Sequence, residues 1–334
     1  MRRIRIAQIG INRYSHGPEL FATMKQHPEI FDLVGYALVE DEREHNQRNI
    51  EKYYQGAPEL TLEQILEDDT IEAVTVETDE YHLFKYAQMA AEHGKHIHME
   101  KPGSQSEEDF QRLVETVRKN GKILHLGYMF RYNPVIQKAV IDANSGVFGS
   151  IFSVEAHMSR YDDMACRQWL SNFEGGMMFY LGSNLIDVIM RIQGEPKEIV
   201  SLNRSSGFGG IDCEDLGLAI LKYDTGTSFV RTNAVELGGG ERRQIVITGE
   251  KGTREIRPIE AYAGRAMTYF SEYTDTLLGD DGHSVREHKA SEPFHRYLDM
   301  ISSFAAMVRG EKENPYSLDY ELLLHKTIMK CCKK

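Results

Sequence analysis

One group of residues with chemical potential lies in the turn after the first predicted strand. Gly10-Ile11-Asn12 ends that strand, and a helical pattern follows from Pro18. A dinucleotide-binding turn has the pattern G-x-G-x-x-G there, because glycines let the backbone approach a pyrophosphate. Only Gly10 matches, so we expect Asn12 to adopt the left-handed backbone conformation that the second glycine would supply. The partial match is equally compatible with an ordinary strand–helix turn.

A second group is Glu100-Lys101-Pro102, which ends the predicted strand His96 to Met99. Because proline keeps the preceding residue extended, we expect Lys101 to project from the carboxyl edge of a parallel sheet, where doubly wound folds bind ligands. An ammonium group there could bind a substrate hydroxyl. A lysine after a strand is usually a solvated surface charge, so the tripeptide alone leaves both interpretations open.

Two other strand ends carry polar side chains that could face a nucleotide. Glu40 or Asp41, after the second strand, could accept a hydrogen bond from an adenosine ribose hydroxyl, which would favour NAD over NADP. Leu38 aligns best with the usual acid, and solvated acids are common at strand ends, so the choice of cofactor stays open. Thr78 lies at the carboxyl end of the third strand, where ligand contacts occur.

The elements that must position these residues alternate between strand and helix up to about residue 127. This order predicts a Rossmann domain over residues 1–127, with a doubly wound parallel sheet covered by helices. The strands are near-continuously apolar, as strands buried on both faces must be. They are Ile4–Ile9, Leu33–Val39, Ala73–Glu77, His96–Met99 and Ile123–Leu126. Helices are predicted over 61–66, 81–92 and 106–119.

The pattern changes after about Val147, where alternating strands and turn residues predict an open, mainly antiparallel sheet. Its strands are Ile151–Ala156, Leu216–Tyr223, Ser228–Val235 and Arg243–Thr248. Helices over 177–193, 293–309 and 318–330 complete a second domain of α+β type over residues 128–334. Its last helices are candidates to pack back on the Rossmann domain.

Composition and charge exclude several classes of protein. A chain of 334 residues with 41% hydrophobic residues has room for about two domains. Its formal charge of -12 would repel a phosphate backbone, so we expect no nucleic-acid partner. No run approaches the ~20 apolar residues of a membrane span. The four cysteines form no disulfide framework, which favours the cytoplasm, and no residue cluster has metal-ligand spacing.

The chemical motifs recur in a fixed order along the whole chain. They are Gly10, Thr78, Gly94-Lys95-His96, Glu100-Lys101-Pro102, Gly127-Tyr128-Met129-Phe130-Arg131-Tyr132-Asn133-Pro134 and Gly149-Ser150-Ile151. This order resembles the glucose-fructose oxidoreductase/inositol dehydrogenase (Gfo/Idh/MocA) family. The resemblance implies that Lys101 is the catalytic or substrate-orienting lysine and that Glu100 lies near the nicotinamide of NAD or NADP. It also implies that the C-terminal sheet forms a substrate wall and a subunit interface, as in a homodimer or homotetramer.

One stretch departs from that family's pattern. The family carries G-G-x-x-x-D-x-G-x-H-x-x-D, whose Asp and His contact the substrate and move its proton. In the stretch Gly175 to Asp187, Tyr180 replaces the Asp and Asn184 replaces the His. Positions four apart share a helix face, so we expect both side chains to point into one pocket. Asn184 can donate and accept hydrogen bonds but cannot titrate.

Because the family's Asp and His are replaced, three solutions for the proton transfer remain open. Tyr180 near Lys101 is the favoured acid/base, with the ammonium lowering the pKa of the phenol from its ordinary value of about 10; a merely packed aromatic is the alternative. His157, or an acid from Asp162 and Asp163, could instead reach the substrate from the second domain. In the third solution, hydride transfer has been lost.

Together these features predict reversible hydride transfer between the nicotinamide and a secondary hydroxyl or keto carbon of a sugar, polyol or related small molecule. Lys101 would orient the substrate oxygen and stabilise alkoxide charge. Arg131 and Asn184 are candidates to orient the substrate, and Arg131 is equally a candidate for a packed ion pair. Two alternatives remain: an NAD-dependent enzyme that cleaves glycosides by oxidation, elimination and re-reduction, and a non-catalytic NAD(P)-binding regulatory subunit.

Overall fold

The computed structural model describes residues 2–333, which fall into two compact units. The first unit comprises the residues up to Tyr128 together with Tyr297–His325. The second comprises Met129–Arg296 and the residues from Lys326 onward. A late segment of the chain, predicted as part of the second domain, thus belongs to the first unit.

The first unit contains a five-stranded parallel sheet. Its strands are β1 (Ile4–Ile9), β2 (Phe31–Ala37), β3 (Ala73–Val76), β4 (His96–Met99) and β5 (Leu124–Leu126). Their order is β2-β1-β3-β4-β5, so the direction of winding reverses between β1 and β3. Open α/β sheets bind ligands in the crevice at such a reversal. The predicted Rossmann fold is confirmed.

Five helices connect and cover these strands. They are α1 (Gly17–Gln26), α2 (Glu42–Asn49), α3 (Leu62–Leu66), α4 (Leu83–Glu92) and α5 (Glu107–Lys119). Thr61 begins α3 with a capping box, and Ser106 caps α5, within the two helices predicted over 61–66 and 106–119. Apolar periodicity did not predict α2, because its eight residues are all polar or charged.

The second unit contains an open sheet of eight strands and a small sheet of three. The strands are β6 (Ile151–Ser159), β7 (Glu198–Ser201), β8 (Leu216–Tyr223), β9 (Gly226–Asn233), β10 (Gln244–Gly249), β11 (Gly252–Ile256), β12 (Ala261–Tyr262), β13 (Thr268–Phe270), β14 (Glu272–Leu278), β15 (Ser284–Ala290) and β16 (Phe294–His295). The large sheet has the order β15-β14-β11-β10-β6-β9-β8-β7, and the small one β12-β13-β16. Only the β6–β9 pair of the large sheet is parallel among the described strands, so the predicted mainly antiparallel sheet is confirmed.

The second unit also holds the helix that carries Tyr180 and Asn184. Its helices are α6 (Pro134–Asn144), α7 (Met164–Leu170) and α8 (Ser183–Gln193). A π-helical turn, Met178–Gly182, leads directly into α8, so the helix predicted over 177–193 is present and has π-helical hydrogen bonding in its first part. Such π turns are frequent at functional sites.

Two helices close the chain. They are α9 (Leu298–Val308), in the first unit, and α10 (Leu318–Cys332), which both units share. The helix α9 begins five residues later than predicted, because Phe294 and His295 form β16. Within residues 2–333, no helix is long and apolar enough to cross a membrane.

Candidate active site

The turn after β1 is built on Gly10. Its φ is +84°, and a Cβ atom there would lie 2.5 Å from Thr78 Cβ, so only glycine fits. Asn12 does not take the expected left-handed conformation: the described non-glycine residues with positive φ are Glu40 and Met267. That expectation is wrong because Asn12 uses its side chain instead. Its Oδ1 accepts the Tyr14 N–H at 2.9 Å, and its Nδ2 donates to Glu80 Oε2 at 2.5 Å.

The same turn is held from the other side by α2. Asn46 Nδ2 donates to the Ile11 carbonyl at 2.7 Å. The Glu42 carboxylate accepts hydrogen bonds from Thr78 Oγ1 at 2.6 Å and from the Val39 N–H at 2.9 Å, and also interacts with the Ile11 N–H. Burial raises the pKa of Glu42 to about 7. Sequence reasoning missed Glu42 and Asn46, although two polar residues four apart on a helix share one face.

The predicted ribose-binding acids after β2 are engaged by neighbouring side chains. Glu40 Oε1 accepts hydrogen bonds from Lys85 Nζ at 2.6 Å and from Tyr86 Oη at 2.7 Å. These two bonds lower the pKa of Glu40. Asp41 Oδ2 lies 3.1 Å from His45 Nε2 on the surface. The buried acid in the segment after β2 is therefore Glu42 rather than either predicted residue.

Three carboxyl groups and one ammonium group are buried together at the carboxyl edge of the sheet. Glu77, Glu80, Glu100 and Lys101 are 1%, 2%, 4% and 3% exposed. Because Val76 of β3 is paired with Met99 of β4, the residues that follow these strands emerge side by side. Lys101 is thus not the solvated surface charge that the sequence also allowed. Glu77 and Glu80 were missed, although acids directly after a buried strand point to this edge.

Glu100 fixes the position of Lys101. Its Oε1 accepts the Lys101 N–H at 2.9 Å and lies 3.6 Å from Lys101 Nζ. The His16 N–H, at the start of α1, also donates to this carboxylate. The Glu100 carboxylate therefore ties the lysine to the beginning of the first helix.

The electrostatics of this edge favour bound protons. Burial raises the pKa of Glu77, Glu80 and Glu100. For Glu77, the negative charges of the other two add to the effect of burial, and for all three the ammonium of Lys101 opposes it. One ammonium cannot balance three buried carboxylates, so proton binding is more favourable at this edge than at exposed carboxyl groups.

A pair of buried histidines lies behind Glu77. His98 Nε2 is 3.6 Å from Glu77 Oε1, and His98 Nδ1 is 2.7 Å from His125 Nδ1. Burial lowers the pKa of His98 to about 3. A nitrogen–nitrogen hydrogen bond between neutral imidazoles requires one ring to donate and the other to accept, so their tautomers are linked.

In the second unit, Tyr180 packs against a cation and an aromatic ring. Tyr180 is 5% exposed and lies in the π-helical turn Met178–Gly182. The Arg160 guanidinium lies 5.0 Å from the centre of its ring, and the Trp169 ring meets it edge-on at 5.2 Å. Arg160 in turn pairs with Asp162 at 2.7 Å.

Asn184 carries a buried amide group that the protein leaves unsatisfied. The residue is 1% exposed. Neither its Oδ1 nor its Nδ2 has a hydrogen-bond partner within residues 2–333. Leaving such a group unsatisfied costs ~1–3 kcal/mol. Asn184 therefore offers one acceptor and one donor to a ligand.

The remaining predicted residues of this unit have protein partners. Arg131 donates from Nε and Nη2 to Asp187 Oδ1 at 3.1 and 2.9 Å, and both side chains are fully buried, which is the packed ion pair that the sequence allowed. His157 Nε2 lies 2.8 Å from Ser159 Oγ, and burial lowers its pKa. Asp163 caps α7 by accepting the Cys166 N–H.

Comparison with known families agrees with this arrangement. Residues 4–128 match the model of the oxidoreductase family with an NAD-binding Rossmann fold, and residues 137–255 match the GFO/IDH/MocA C-terminal domain. This chain belongs to the Gfo/Idh/MocA family of oxidoreductases. The predicted family, and the nicotinamide dinucleotide cofactor that it implies, are thereby confirmed.

Similar proteins include members that carry out sugar and polyol chemistry. The chain is 24% identical to a myo-inositol 2-dehydrogenase of Thermotoga maritima over 79% of its own length and 83% of the relative's. It is 23% identical to a D-xylose 1-dehydrogenase (NADP(+)) of Haloferax volcanii, over 74% and 73% of the two chains. The crystal structure of an aldose-aldose oxidoreductase from Caulobacter crescentus has a TM-score of 0.80, with 18% identity, over 99% of this chain and 98% of that one.

In this Gfo/Idh/MocA chain the turn after β1 departs from the usual glycine spacing. A Cβ atom on Gly17 would lie 2.7 Å from Glu77 Cβ. Gly17 thus provides the close helix–strand approach that the third glycine of G-x-G-x-x-G provides elsewhere. The turn from Gly10 to Gly17 is two residues longer than that motif, which explains why only its first glycine matched.

Proposed function

We propose that this protein is an NAD(P)-dependent dehydrogenase or reductase that transfers a hydride between the nicotinamide and a secondary hydroxyl or keto carbon. The observation that carries the proposal is the burial of Lys101 beside Glu100 at the carboxyl edge of β4, in an NAD-binding domain. A buried ammonium is costly unless it is paired, as Lys101 is with Glu100, and this position is where ligands bind in such sheets.

In this proposal each side chain has one task. The bound nicotinamide supplies the hydride chemistry. Lys101 orients the substrate oxygen and stabilises negative charge that develops on it. Tyr180 is the acid/base that exchanges a proton with the substrate oxygen. Asn184 hydrogen-bonds a neighbouring hydroxyl through its unsatisfied amide, while Arg131 and His157 support the substrate wall.

The proposed substrates are sugars, polyols or related small molecules. The inositol and xylose dehydrogenases among the relatives support this class. An amide that both donates and accepts matches a hydroxyl group, which does the same. The cofactor is NAD or NADP; the assay described next distinguishes them.

Purified protein incubated with NAD or NADP and a panel of polyols, aldoses and glycosides tests the proposal. Absorbance of the reduced cofactor and the sugar products are followed together. Net reduction of the cofactor is expected. Sugar cleavage without net reduction would instead identify the cyclic glycoside-cleaving reaction, and cofactor binding without either product would identify a regulatory subunit.

Lysines at the two ends of β4 provide a matched pair of variants. We expect Lys101→Met to lower kcat/KM by ~10²–10³-fold, because it removes the charge that stabilises the alkoxide. Lys95→Met is the control, since Lys95 is equally buried but donates to the Asp68 carbonyl at 2.7 Å.

Tyr180→Phe should abolish turnover and spare cofactor binding. Near-normal activity of Lys101→Met or Tyr180→Phe would contradict the corresponding role.

We also propose a cytoplasmic homodimer or homotetramer assembled through the open face of the eight-stranded sheet. That sheet exposes large apolar side chains, including Phe152 at 44% and Leu278 at 57%. Exposed apolar patches of this kind mark association surfaces. Light scattering of the purified protein gives the stoichiometry, and a monomer would contradict the proposal.

A further inference from the structure

Glu80 differs from the other carboxyl groups of the sheet edge in having one oxygen without a hydrogen-bond partner. Its Oε2 accepts the bond of 2.5 Å from Asn12 Nδ2. Its Oε1 is buried and has no hydrogen-bond partner in the part of the chain that the structure describes. A buried carboxylate oxygen in this state is destabilising unless it binds a proton or a ligand.

Hydrogen bonds in the turn after β1 determine which oxygen of Glu80 has no hydrogen-bond partner. The Tyr14 N–H donates to Asn12 Oδ1 at 2.9 Å, which directs Asn12 Nδ2 toward Glu80. Glu80 Oε2 is thereby held as an acceptor. A proton can therefore bind to and leave Oε1 while the bond to Asn12 stays intact.

The neighbouring carboxyl groups lack this freedom. Glu100 already accepts the N–H groups of Lys101 and His16. Glu77 packs against Gly17 and faces His98. The charged groups around Glu80 are Lys101, which favours its ionised form, and the acids Asp79, Glu100 and Glu77, which disfavour it.

We propose that Glu80 is the proton store of the active site and exchanges a proton with Lys101 during turnover. The inference rests on the proposed hydride-transfer function and deepens it. Glu80 acts through Lys101 and needs no contact with the substrate. Glu80 is thus a positioning residue. It supplies, in the first unit, a titratable group in place of the histidine that Asn184 replaces.

The oxidation step balances as follows. The Lys101 ammonium gives a proton to Glu80 Oε1, which becomes a carboxylic acid. The neutral amine of Lys101 then accepts the proton that the substrate hydroxyl releases. The carbinol hydride, with its electron pair, would be taken up by the oxidised dinucleotide cofactor. The substrate becomes a carbonyl compound, and the protein retains the hydroxyl proton on Glu80.

Infrared spectroscopy of the cofactor-free protein tests the proton store without any turnover. A buried carboxylic acid gives a C=O band that a carboxylate lacks, and Glu80→Gln should remove one such band from the pH-difference spectrum. In Lys101→Met the same band should persist to higher pH, because the ammonium that favours the ionised form is gone. A spectrum that Glu80→Gln leaves unchanged at every pH would overturn the proposal, whether or not the protein is a dehydrogenase.

Steady-state kinetics provide the second readout once a substrate from the panel is in hand. Glu80→Gln should lower kcat by ~10²-fold or more and flatten one limb of its pH profile, with the dissociation constant of the dinucleotide nearly unchanged. Asp79→Asn, one residue away, is the matched control for loss of a negative charge and should keep both limbs. Equal effects of the two variants, or a normal pH profile of Glu80→Gln, would show that Glu80 contributes only charge or packing.

Discussion

Asn184 shows how a single residue can report on a ligand. An amide with two unsatisfied buried atoms lowers the stability of the fold, so its presence calls for an explanation, and we propose a ligand. The substitution of histidine by asparagine was visible in the sequence. The absence of a protein partner was not visible, because it depends on every side chain packed around the helix.

We expect Asn184→Leu to stabilise the protein and to impair substrate binding. Removing two unsatisfied polar atoms from a buried site should raise the free energy of unfolding by ~1–3 kcal/mol, while KM rises at least ~10-fold. Trp169, the one tryptophan of the chain, reports unfolding of the second unit by fluorescence.

A second buried asparagine of the same unit is the control for this substitution. Asn133 accepts the Val135 and Ile136 N–H groups and donates to Ser271 Oγ. Asn133→Leu should therefore destabilise the unit. Destabilisation by Asn184→Leu as well would mean that the Asn184 amide is satisfied within the protein.

At the scale of single elements, apolar periodicity predicted most of the fold. The strands β1 and β4 and the strand Leu216–Tyr223 have the predicted bounds, because their apolar runs end at turn residues. The helix α2 could not be predicted in this way, since its only buried residues are Glu42 and Asn46. The elements that hold the site are thus those in which polar residues are buried, and these are the ones that a hydrophobic pattern does not reveal.

Gly10→Ala tests how closely the turn after β1 must approach β3. The new Cβ would lie 2.5 Å from Thr78 Cβ at a residue whose φ is +84°. We expect a loss of at least ~2 kcal/mol in the free energy of unfolding and at least ~10-fold weaker dinucleotide binding, measured by denaturation and calorimetry.

Gly121→Ala distinguishes backbone strain from the contact with Thr78 as causes of the loss expected for Gly10→Ala. The φ of Gly121 is +61°, but a Cβ there would meet no atom within 4 Å. Gly121→Ala should therefore cost only ~1 kcal/mol of backbone strain and leave dinucleotide binding unchanged. Equal effects of the two variants would show that the contact with Thr78 does not matter.

At the scale of the whole molecule, the change of pattern near residue 147 predicted two bodies, and the last helices were candidates to pack back on the first. Tyr297–His325 belongs to the first unit although more than 150 residues of the second unit precede it. Pairings of such long sequence separation leave no local signal from which the limits of this segment could be predicted. Phe304 of this segment stacks on His125 at 5.5 Å, and Tyr297 Oη lies 2.8 Å from His16 Nδ1, so the late helices complete the core behind the sheet edge.

The return of this segment makes the first unit sensitive to acid. His325 stacks on Phe110 at 4.3 Å, and its Nε2 lies 2.9 Å from the Ser104 carbonyl. Burial lowers the pKa of His325 to about 4. Below the ordinary histidine pKa of about 6.5, the unfolded chain binds a proton at His325 that the folded chain does not bind. The contribution of His325 to the free energy of unfolding is therefore fully present above pH ~6.5 and is lost as the pH falls toward ~4.

We therefore expect His325→Gln to remove part of the pH dependence of unfolding. The free energy of unfolding of the natural protein should fall by on the order of 3 kcal/mol more than that of the variant between about pH 7 and pH 4. Denaturant titrations followed by far-ultraviolet circular dichroism measure this difference. Subtracting the two curves cancels the opposite contribution of Glu42, whose raised pKa of about 7 makes stability fall as the pH rises. Parallel curves would mean that His325 is protonated in the folded protein and that the segment Tyr297–His325 opens to solvent at His325.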